Sequence, residues 1–336
     1  MTFSFFKNNK TDFLAVGDIV TDAFIRIKEG HVNCLGDKCE LCISYGDKVP
    51  FESVEIVRAV GNSANAAVAV SRLGLKSSLV ASVGDDEEGE KCLLKLEGEN
   101  VRTDYVEINK GKKTNYHYVL WYDKDRTILV KHEDFKYNFP KNAKPKWIYL
   151  SSLGEHALSL HDEIADFLDK NPDTKLAFQP GTFQMKLGVE RLNKIYKKSE
   201  ILFCNVEEAE RILGKSGGVS IIKELLSGIR ALGPKIAVIT DGPNGSYADD
   251  GAEQFFLPAF PDQKPAYERT GAGDCFASTT VAGLILGKSI EDSMKWGSVN
   301  SMSVVQEVGA QKGLLTQAKI EEFLKTAPQD WNKKII

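Results

Sequence analysis

The chain of 336 residues contains no apolar run near the length of a membrane span, so a helical membrane protein is not expected. It also lacks an excess of basic charge: 43 Lys and Arg stand against 47 Asp and Glu, mixed along the sequence, for a formal net charge of −4. Nucleic-acid binders usually carry a basic stripe, so no nucleic-acid partner is expected, although net charge leaves room for a local phosphate pocket. Cysteine is sparse. The six are Cys34, Cys39, Cys42, Cys92, Cys204 and Cys275, and three of them fall in apolar segments that read as core. That usage points to a reduced, cytoplasmic protein rather than a disulfide scaffold. The N-terminal MTFSFFKNNKTDF has no small-residue cleavage site and reads as a tail before the first strand, not a signal peptide.

Several chemistries are missing as well. No Gly-x-Gly-x-x-Gly follows the first strand, which argues against a dinucleotide-dependent dehydrogenase. Gly214-Lys215-Ser216 and Gly287-Lys288-Ser289 invite a P-loop reading, but the glycine required five positions earlier is Ala209 in one case and Ala282 in the other. A glycine closing a helix explains each tripeptide. Neither Ser63 nor Ser278 has a hydrolase nucleophile motif around it.

What is present is an alternation of buried strands and helices. Short apolar runs at 13–17, 78–83, 147–150, 175–178, 201–204 and 236–240 read as strands. Helical spacing covers 62–73, an acidic start at 85–90, 155–168, 188–197, 206–213 and 218–232. This rhythm predicts an α/β fold with a doubly wound, mostly parallel sheet covered on both faces, and one domain over 1–336. Two regions break it. Residues 22–57 are strand-like without a good helix, and within 112–135 the segments 114–122 and 127–132 flank the turn-like Asp123-Lys124-Asp125-Arg126. They are expected to form a small antiparallel sheet that projects as a lid, pairs with a second subunit, or does both.

The chemistry concentrates in Thr270-Gly271-Ala272-Gly273-Asp274, just before an apolar helical run that reaches Leu286. A helix N-terminus offers unpaired N–H groups and partial positive charge, so Gly271, Ala272 and Gly273 would admit an anion there. Asp274, in the first turn, places a carboxylate at the same spot and is expected to stay ionised. Amides for a moving phosphoryl group and a carboxylate for the attacking hydroxyl's proton suit phosphoryl transfer. An aspartate that merely caps the helix is the bland alternative.

Gly271-Ala272-Gly273-Asp274 resembles the C-terminal signature of the ribokinase-like (PfkB) carbohydrate kinases, and the resemblance runs over nearly the whole chain. It implies Asp274 as catalytic base and the preceding backbone as anion hole. Asn205-Val206-Glu207-Glu208 matches the family's Asn-x-x-Glu motif, implying that Asn205 and Glu208 organise Mg²⁺ and the phosphates of ATP, with Glu208 reaching the metal through water. Thr240-Asp241-Gly242-Pro243-Asn244-Gly245 resembles the nucleotide-binding turn, with Thr240, Gly242 and Gly245 beside the nucleotide. Gly17 to Asp22 resembles the end of the first strand, and Gly61 to Asn65 the Gly-Gly-x-x-x-Asn signature. These imply Asp22, Gly61 and Asn65 as substrate ligands. A carboxylate and an amide together can accept and donate hydrogen bonds to vicinal hydroxyls. Val60 replaces the first glycine of that pair and would reshape the pocket. Glu268-Arg269-Thr270 replaces the usual Asp-Thr-Thr, which leaves a monovalent-cation site open.

The expected activity is ATP-dependent phosphorylation of a small sugar, a ribose-type pentose first and a nucleoside second. Fructose, 2-keto-3-deoxygluconate and a non-catalytic ligand-binding regulator complete the alternatives. In the expected lid, His31, Cys34, Cys39 and Cys42 have donor types that could hold a structural zinc. Tyr116, His117 and Tyr118 alternate along a strand, so one could close over the substrate. Glu155 starts a helix after a buried strand, where capping or reaching the sugar are both open.

Overall fold

The computed structural model describes residues 10–36, 38–123, 125–215 and 221–336. The expected N-terminal tail and the first turn of the helix predicted at 218–232 lie largely outside them.

In chain order the first half contains β1 (Lys10–Val16), β2 (Val20–Ile27), β3 (His31–Leu35), β4 (Lys38–Cys42), β5 (Phe51–Val60), α1 (Asn62–Arg72), β6 (Ser77–Gly84), α2 (Glu87–Gly98), β7 (Arg102–Asn109), β8 (Tyr116–Tyr122), β9 (Asp125–Lys131), β10 (Lys144–Leu150) and α3 (Leu158–Lys170). There follow β11 (Lys175–Phe178), α4 (Thr182–Arg191), α5 (Asn193–Lys198), β12 (Ser199–Asn205), α6 (Val206–Ile212), α7 (Ile222–Ala231), β13 (Ile236–Thr240), β14 (Ser246–Asp249), β15 (Gln254–Leu257), α8 (Ala272–Ile285), α9 (Ile290–Val304), α10 (Gln317–Lys325) and β16 (Lys334–Ile335).

Among the described residues the main sheet has the order β16-β15-β14-β13-β12-β11-β10-β1-β6-β7. From β7 to β13 it is parallel, and β14, β15 and β16 add antiparallel at one end. The expectation of a mostly parallel α/β sheet holds. Its physical basis is visible in β1, where alternate residues serve opposite layers. Phe13 and Ala15 pack under α1, α8 and α9, while Leu14 and Val16 face α3, α5, α6 and α7. Each fully buried aliphatic side chain of this kind contributes about 1.5–3 kcal/mol. Strand order reverses between β1 and β10, the switch point where open α/β sheets leave a crevice at the carboxyl ends of their strands.

The smaller sheet has the order β5-β2-β8-β9. It departs from the antiparallel expectation, because β2 and β8 pair in parallel, from Thr21 opposite Tyr116 to Arg26 opposite Trp121. Strand β9 also starts earlier than expected, with Asp125 already paired to Tyr122. The predicted helix at 188–197 is divided between α4 and α5, with Leu192 at φ −100° and ψ 13° between them, and Gly188 at φ +82° kinks α4 itself.

The zinc possibility is corrected by β3 and β4. Cys34 and Cys39 face each other across this exposed hairpin and are joined as a disulfide, so their thiolates are not available to a metal. Only His31 and Cys42 remain, themselves a cross-strand pair, and no cluster of metal-ligating side chains occurs among the described residues. The expectation of wholly reduced cysteines is corrected by the same bond. Cys92, Cys204 and Cys275 are free and buried, as expected. No helix among the described residues is long and apolar enough to cross a membrane.

Candidate active site

The carboxyl ends of the parallel strands and the N-termini of α1 and α8 converge on one cavity of about 160 Å³. Asp22, Gly61, Asn65 and Asp274 line it together with Val60, Asn62, His117 and Thr270. Four residues expected to act together are therefore neighbours, although more than 200 positions separate Asn65 from Asp274 along the chain. Val60, the replacement for a glycine, forms part of the wall. Of the alternating lid residues His117 faces the cavity, while Tyr116 and Tyr118 pack on each other with ring centroids 5.2 Å apart. Glu155 is exposed in a 3₁₀ turn and lines no part of the cavity.

Asp274 is buried at the start of α8, and its carboxylate is the hub of the site. One oxygen accepts from Asn62 Nδ2 at 2.8 Å and Gln179 Nε2 at 3.2 Å, and the other from Asn65 Nδ2 at 2.9 Å. Burial raises its pKa above the ordinary 3.8, with the amides of Asn65, Asn62 and Gln179 pulling the other way. The expectation that the helix end simply keeps this group ionised is thus incomplete, because desolvation outweighs it and makes Asp274 a better base. Sequence reasoning missed Asn62 and Gln179. Gln179 carried a faint signal, a polar residue directly after a buried strand, and its Oε1 accepts from the buried Tyr149 hydroxyl. Asn65 is backed in turn by Gln311, which donates to Asn65 Oδ1 at 3.2 Å and to the Ala59 carbonyl at 2.7 Å.

The glycines ahead of Asp274 differ in their reasons. Gly271 sits at φ +77°, and a Cβ there would meet Ala310 Cβ at 2.2 Å, so the fold itself requires glycine. A Cβ on Gly273 would meet only Gln179 Nε2, at 3.9 Å. There the absent side chain leaves open space beside N–H groups of the first helical turn that lack intrahelical acceptors. Gly273 therefore presents the open N–H of the expected anion cradle, while the Ala272 N–H donates to the Arg269 carbonyl at 3.4 Å and Gly271 shapes the entry.

Asn205 and Thr240 stand opposite each other in the register of β12 and β13. Asn205 and Glu208 form a capping box, Asn205 Oδ1 accepting from Glu208 N at 2.8 Å and Glu208 Oε2 from Asn205 N at 2.9 Å. Burial raises the Glu208 pKa, and the Asn205 N–H opposes the shift. The cap occupies one Glu208 oxygen and leaves the other for a hydrated cation. That fits Mg²⁺, which binds through one or two carboxylates, waters and substrate phosphates. In the turn after β13, a Cβ on Gly245 would approach the Leu257 carbonyl to 2.4 Å, so packing against β15 accounts for that glycine. Gly242 is open, with only Arg269 Nη1 nearby, at 3.9 Å from a Cβ placed on it. Arg269 thus spans from the cradle to this turn, and sequence reasoning had noted it only as a departure.

Two buried oxygens around the cavity lack hydrogen-bond partners, Asp22 Oδ1 and Thr270 Oγ1. Orphaned buried acceptors are costly, which marks the cavity as a place for a hydroxylated ligand. Phe24 separates it from a second cavity of about 310 Å³ lined by Trp121, Arg126, Tyr267, Glu268 and Arg269. There Arg126 lies 3.7 Å from Glu268, whose carboxylate accepts from the N–H of Thr270 at 2.8 Å and of Gly309 at 2.9 Å.

A buried, amide-held carboxylate at an open helix N-terminus, beside unpartnered acceptors at the sheet's switch point, is the apparatus of a group transferase for hydroxyl compounds. Residues 30–317 match the description "pfkB family carbohydrate kinase". The chain is 26% identical over 323 residues to an ATP-dependent 6-phosphofructokinase of Thermoanaerobacterium thermosaccharolyticum, spanning 91% of each. To the ribokinase of Bacillus subtilis it is 28% identical over 273 residues, 79% of this chain and 87% of the relative. The structure of Arabidopsis thaliana ribokinase complexed with ribose and ATP superposes with a TM-score of 0.76 at 19% identity, covering 94% of this chain and 99% of that one. The chain belongs to the pfkB family of carbohydrate kinases and is a phosphotransferase with an alcohol group as acceptor.

Proposed function

We propose that this kinase transfers the γ-phosphoryl group of ATP to a hydroxyl of a ribose-type pentose. The observation that carries the reading is that Asp22 Oδ1, with only His117 Nδ1 near it at 3.2 Å, accepts no hydrogen bond in the same cavity as the Asp274 carboxylate. Asp22 would accept from the sugar's hydroxyls, and Asn62 and Asn65 would donate to them while holding Asp274. Asp274 would take the proton of the attacking hydroxyl late in a loose transition state. The N–H of Gly273 would meet the charge on the transferring phosphoryl group. Glu208 would hold Mg²⁺ through water, and the ion would neutralise charge on the phosphates. Asn205, Thr240, Gly242 and Arg269 would border the nucleotide.

One observation favours a second reading. The neighbouring cavity offers Trp121 and Tyr267, with ring centroids 5.3 Å apart, and two arginines just past Phe24. Such a chamber would suit the base of a nucleoside whose sugar occupied the first cavity. ATP-dependent turnover with Mg²⁺ across pentoses, hexoses, keto-deoxy sugar acids, sugar phosphates and nucleosides tests both. Ribose as the best acceptor supports the first reading, and a nucleoside far better than its free sugar supports the second. A sugar phosphate or acidic sugar as best acceptor would overturn both, and no turnover despite nucleotide binding would favour a ligand-binding regulator.

A further inference from the structure

The wall of the cavity holds a row of side chains that the phosphoryl chemistry does not use. His117 of β8 brings Nδ1 within 3.2 Å of Asp22 Oδ1, an ion-pair approach whose angle is too poor for a hydrogen bond. Its Nε2 stands 3.1 Å from Nε2 of His132, the residue after β9. His132 Nδ1 lies 3.3 Å from Asp18 Oδ2, and the other Asp18 oxygen accepts from the Tyr137 hydroxyl. His117, Asp22 and Asp18 are covered, with side-chain exposures of 14%, 13% and 10%, and His132 closes the row at the exposed rim.

The protons of this row can be counted. A ring nitrogen so close to a carboxylate carries hydrogen, because a lone pair there would face negative charge. With both Nδ1 atoms protonated, two neutral rings would oppose bare lone pairs at Nε2. At 3.1 Å that contact is repulsive unless a proton stands between them. Two neutral rings supply that proton only if one turns a bare Nδ1 toward its carboxylate, whereas an imidazolium–imidazole pair supplies it and keeps hydrogen at both Nδ1 atoms, the arrangement the two flanking carboxylates favour.

We infer that His117 and His132 share one proton between Asp22 and Asp18, and that this pair positions the Asp22 carboxylate for the acceptor. A further proton would set N–H against N–H with two positive charges. Loss of one proton leaves two neutral rings, which keep the Nε2 contact only by turning a bare Nδ1 toward Asp22 or Asp18. Either change disrupts the row and releases Asp22, so acceptor binding weakens at both ends of the pH range. The charged groups facing the pair are Asp22 from β2, Asp18 from the loop after β1 and Asp274 across the cavity, while Lys131 and Glu133, which flank His132 in sequence, pair with each other at 3.0 Å. Tyr137 backs Asp18, and the Arg58–Glu88 ion pair, reached from β2 through Thr21, is internally neutral. Both histidines act through Asp22, as positioning residues. That last step rests on the kinase reading; the shared proton does not.

The test uses the full chain with ¹⁵N-labelled histidine, followed by NMR across pH without any substrate. A shared proton makes the two rings titrate as one coupled unit in two separated macroscopic steps. His132→Gln keeps a polar partner for His117 but removes the coupling, leaving a single step for His117. In acceptor kinetics the same variant raises KM for the acceptor about tenfold and flattens its pH dependence, with kcat and KM for ATP nearly unchanged. Asp18→Asn serves as a second variant, which must disturb the His132 titration while the fold stays intact. Independent titration of the two rings in the unaltered protein overturns the proposal. So does one equivalent of Zn²⁺ silencing both titrations, because two Nε2 atoms 3.1 Å apart can with a small movement flank a tetrahedral metal. Absence of turnover with coupled titration intact would instead count against the kinase reading alone.

Discussion

Glu99 is where the support of the site can be measured as stability. Arg72, at the end of α1, donates Nε and Nη2 to the two Glu99 oxygens, both at 2.8 Å, and Nη1 to the Gln311 and Leu314 carbonyls. Helix α1 carries Asn62 and Asn65 at its other end, so this clamp fixes the element that holds Asp274. The Arg72 hydrogen bonds, against burial and with help from Lys95, depress the Glu99 pKa from 4.5 to about 2. That difference corresponds to at most about 3 kcal/mol, which solvent screening of this partly exposed pair reduces to about 1–2 kcal/mol. Because the folded value is the lower one, the contribution is complete above the unfolded pKa and is lost as pH falls through the folded one. Glu99→Gln should therefore lower unfolding free energy by about 1–2 kcal/mol at pH 7, and by progressively less between about pH 4.5 and 2. Denaturant titrations of both proteins at several pH values measure this. A deficit that stays constant from pH 7 to 3 would refute the reasoning, since a mere packing loss has no such pH dependence.

Two other perturbations read the site directly. Gln179→Ala removes one donor to Asp274, which should raise that pKa further and move the acid limb of kcat/KM to higher pH; an unmoved limb would separate Asp274 from the limb. Arg269→Ala should lower kcat/KM for ATP by about 10–100-fold if the guanidinium meets phosphate, and unchanged ATP kinetics would leave it a surface residue.

Much of the fold was legible because the parallel strands are buried on both faces and read as continuous apolar runs, as in Ile201–Cys204 and Ile236–Thr240. The α8 start was legible because a small-residue run before a carboxylate and an apolar helix marks a helix N-terminus, and the resemblance of the whole chain, not the motif alone, chose between a cap and an active site. Legibility failed where long-range pairing decides. Nothing local says that β2 lies parallel to β8, or that Cys34 faces Cys39 rather than a metal. Helix α9 escaped because its buried face includes Ser293, Ser298 and Asn300, which break the apolar periodicity. Asn62 and Gln179 escaped for a related reason. Each is an ordinary amide until Asp274 arrives from the far end of the chain, and only the folded geometry makes them its donors.

Single-turnover and steady-state kinetics of Asp274→Asn, on the best acceptor from the panel and alongside nucleotide-binding titrations, test the central claim most directly. The account predicts ATP binding within a few-fold of the unaltered protein and a kcat lower by about 10²–10⁴-fold. Turnover equal to that of the unaltered protein, with the fold intact, would contradict the role given to this carboxylate.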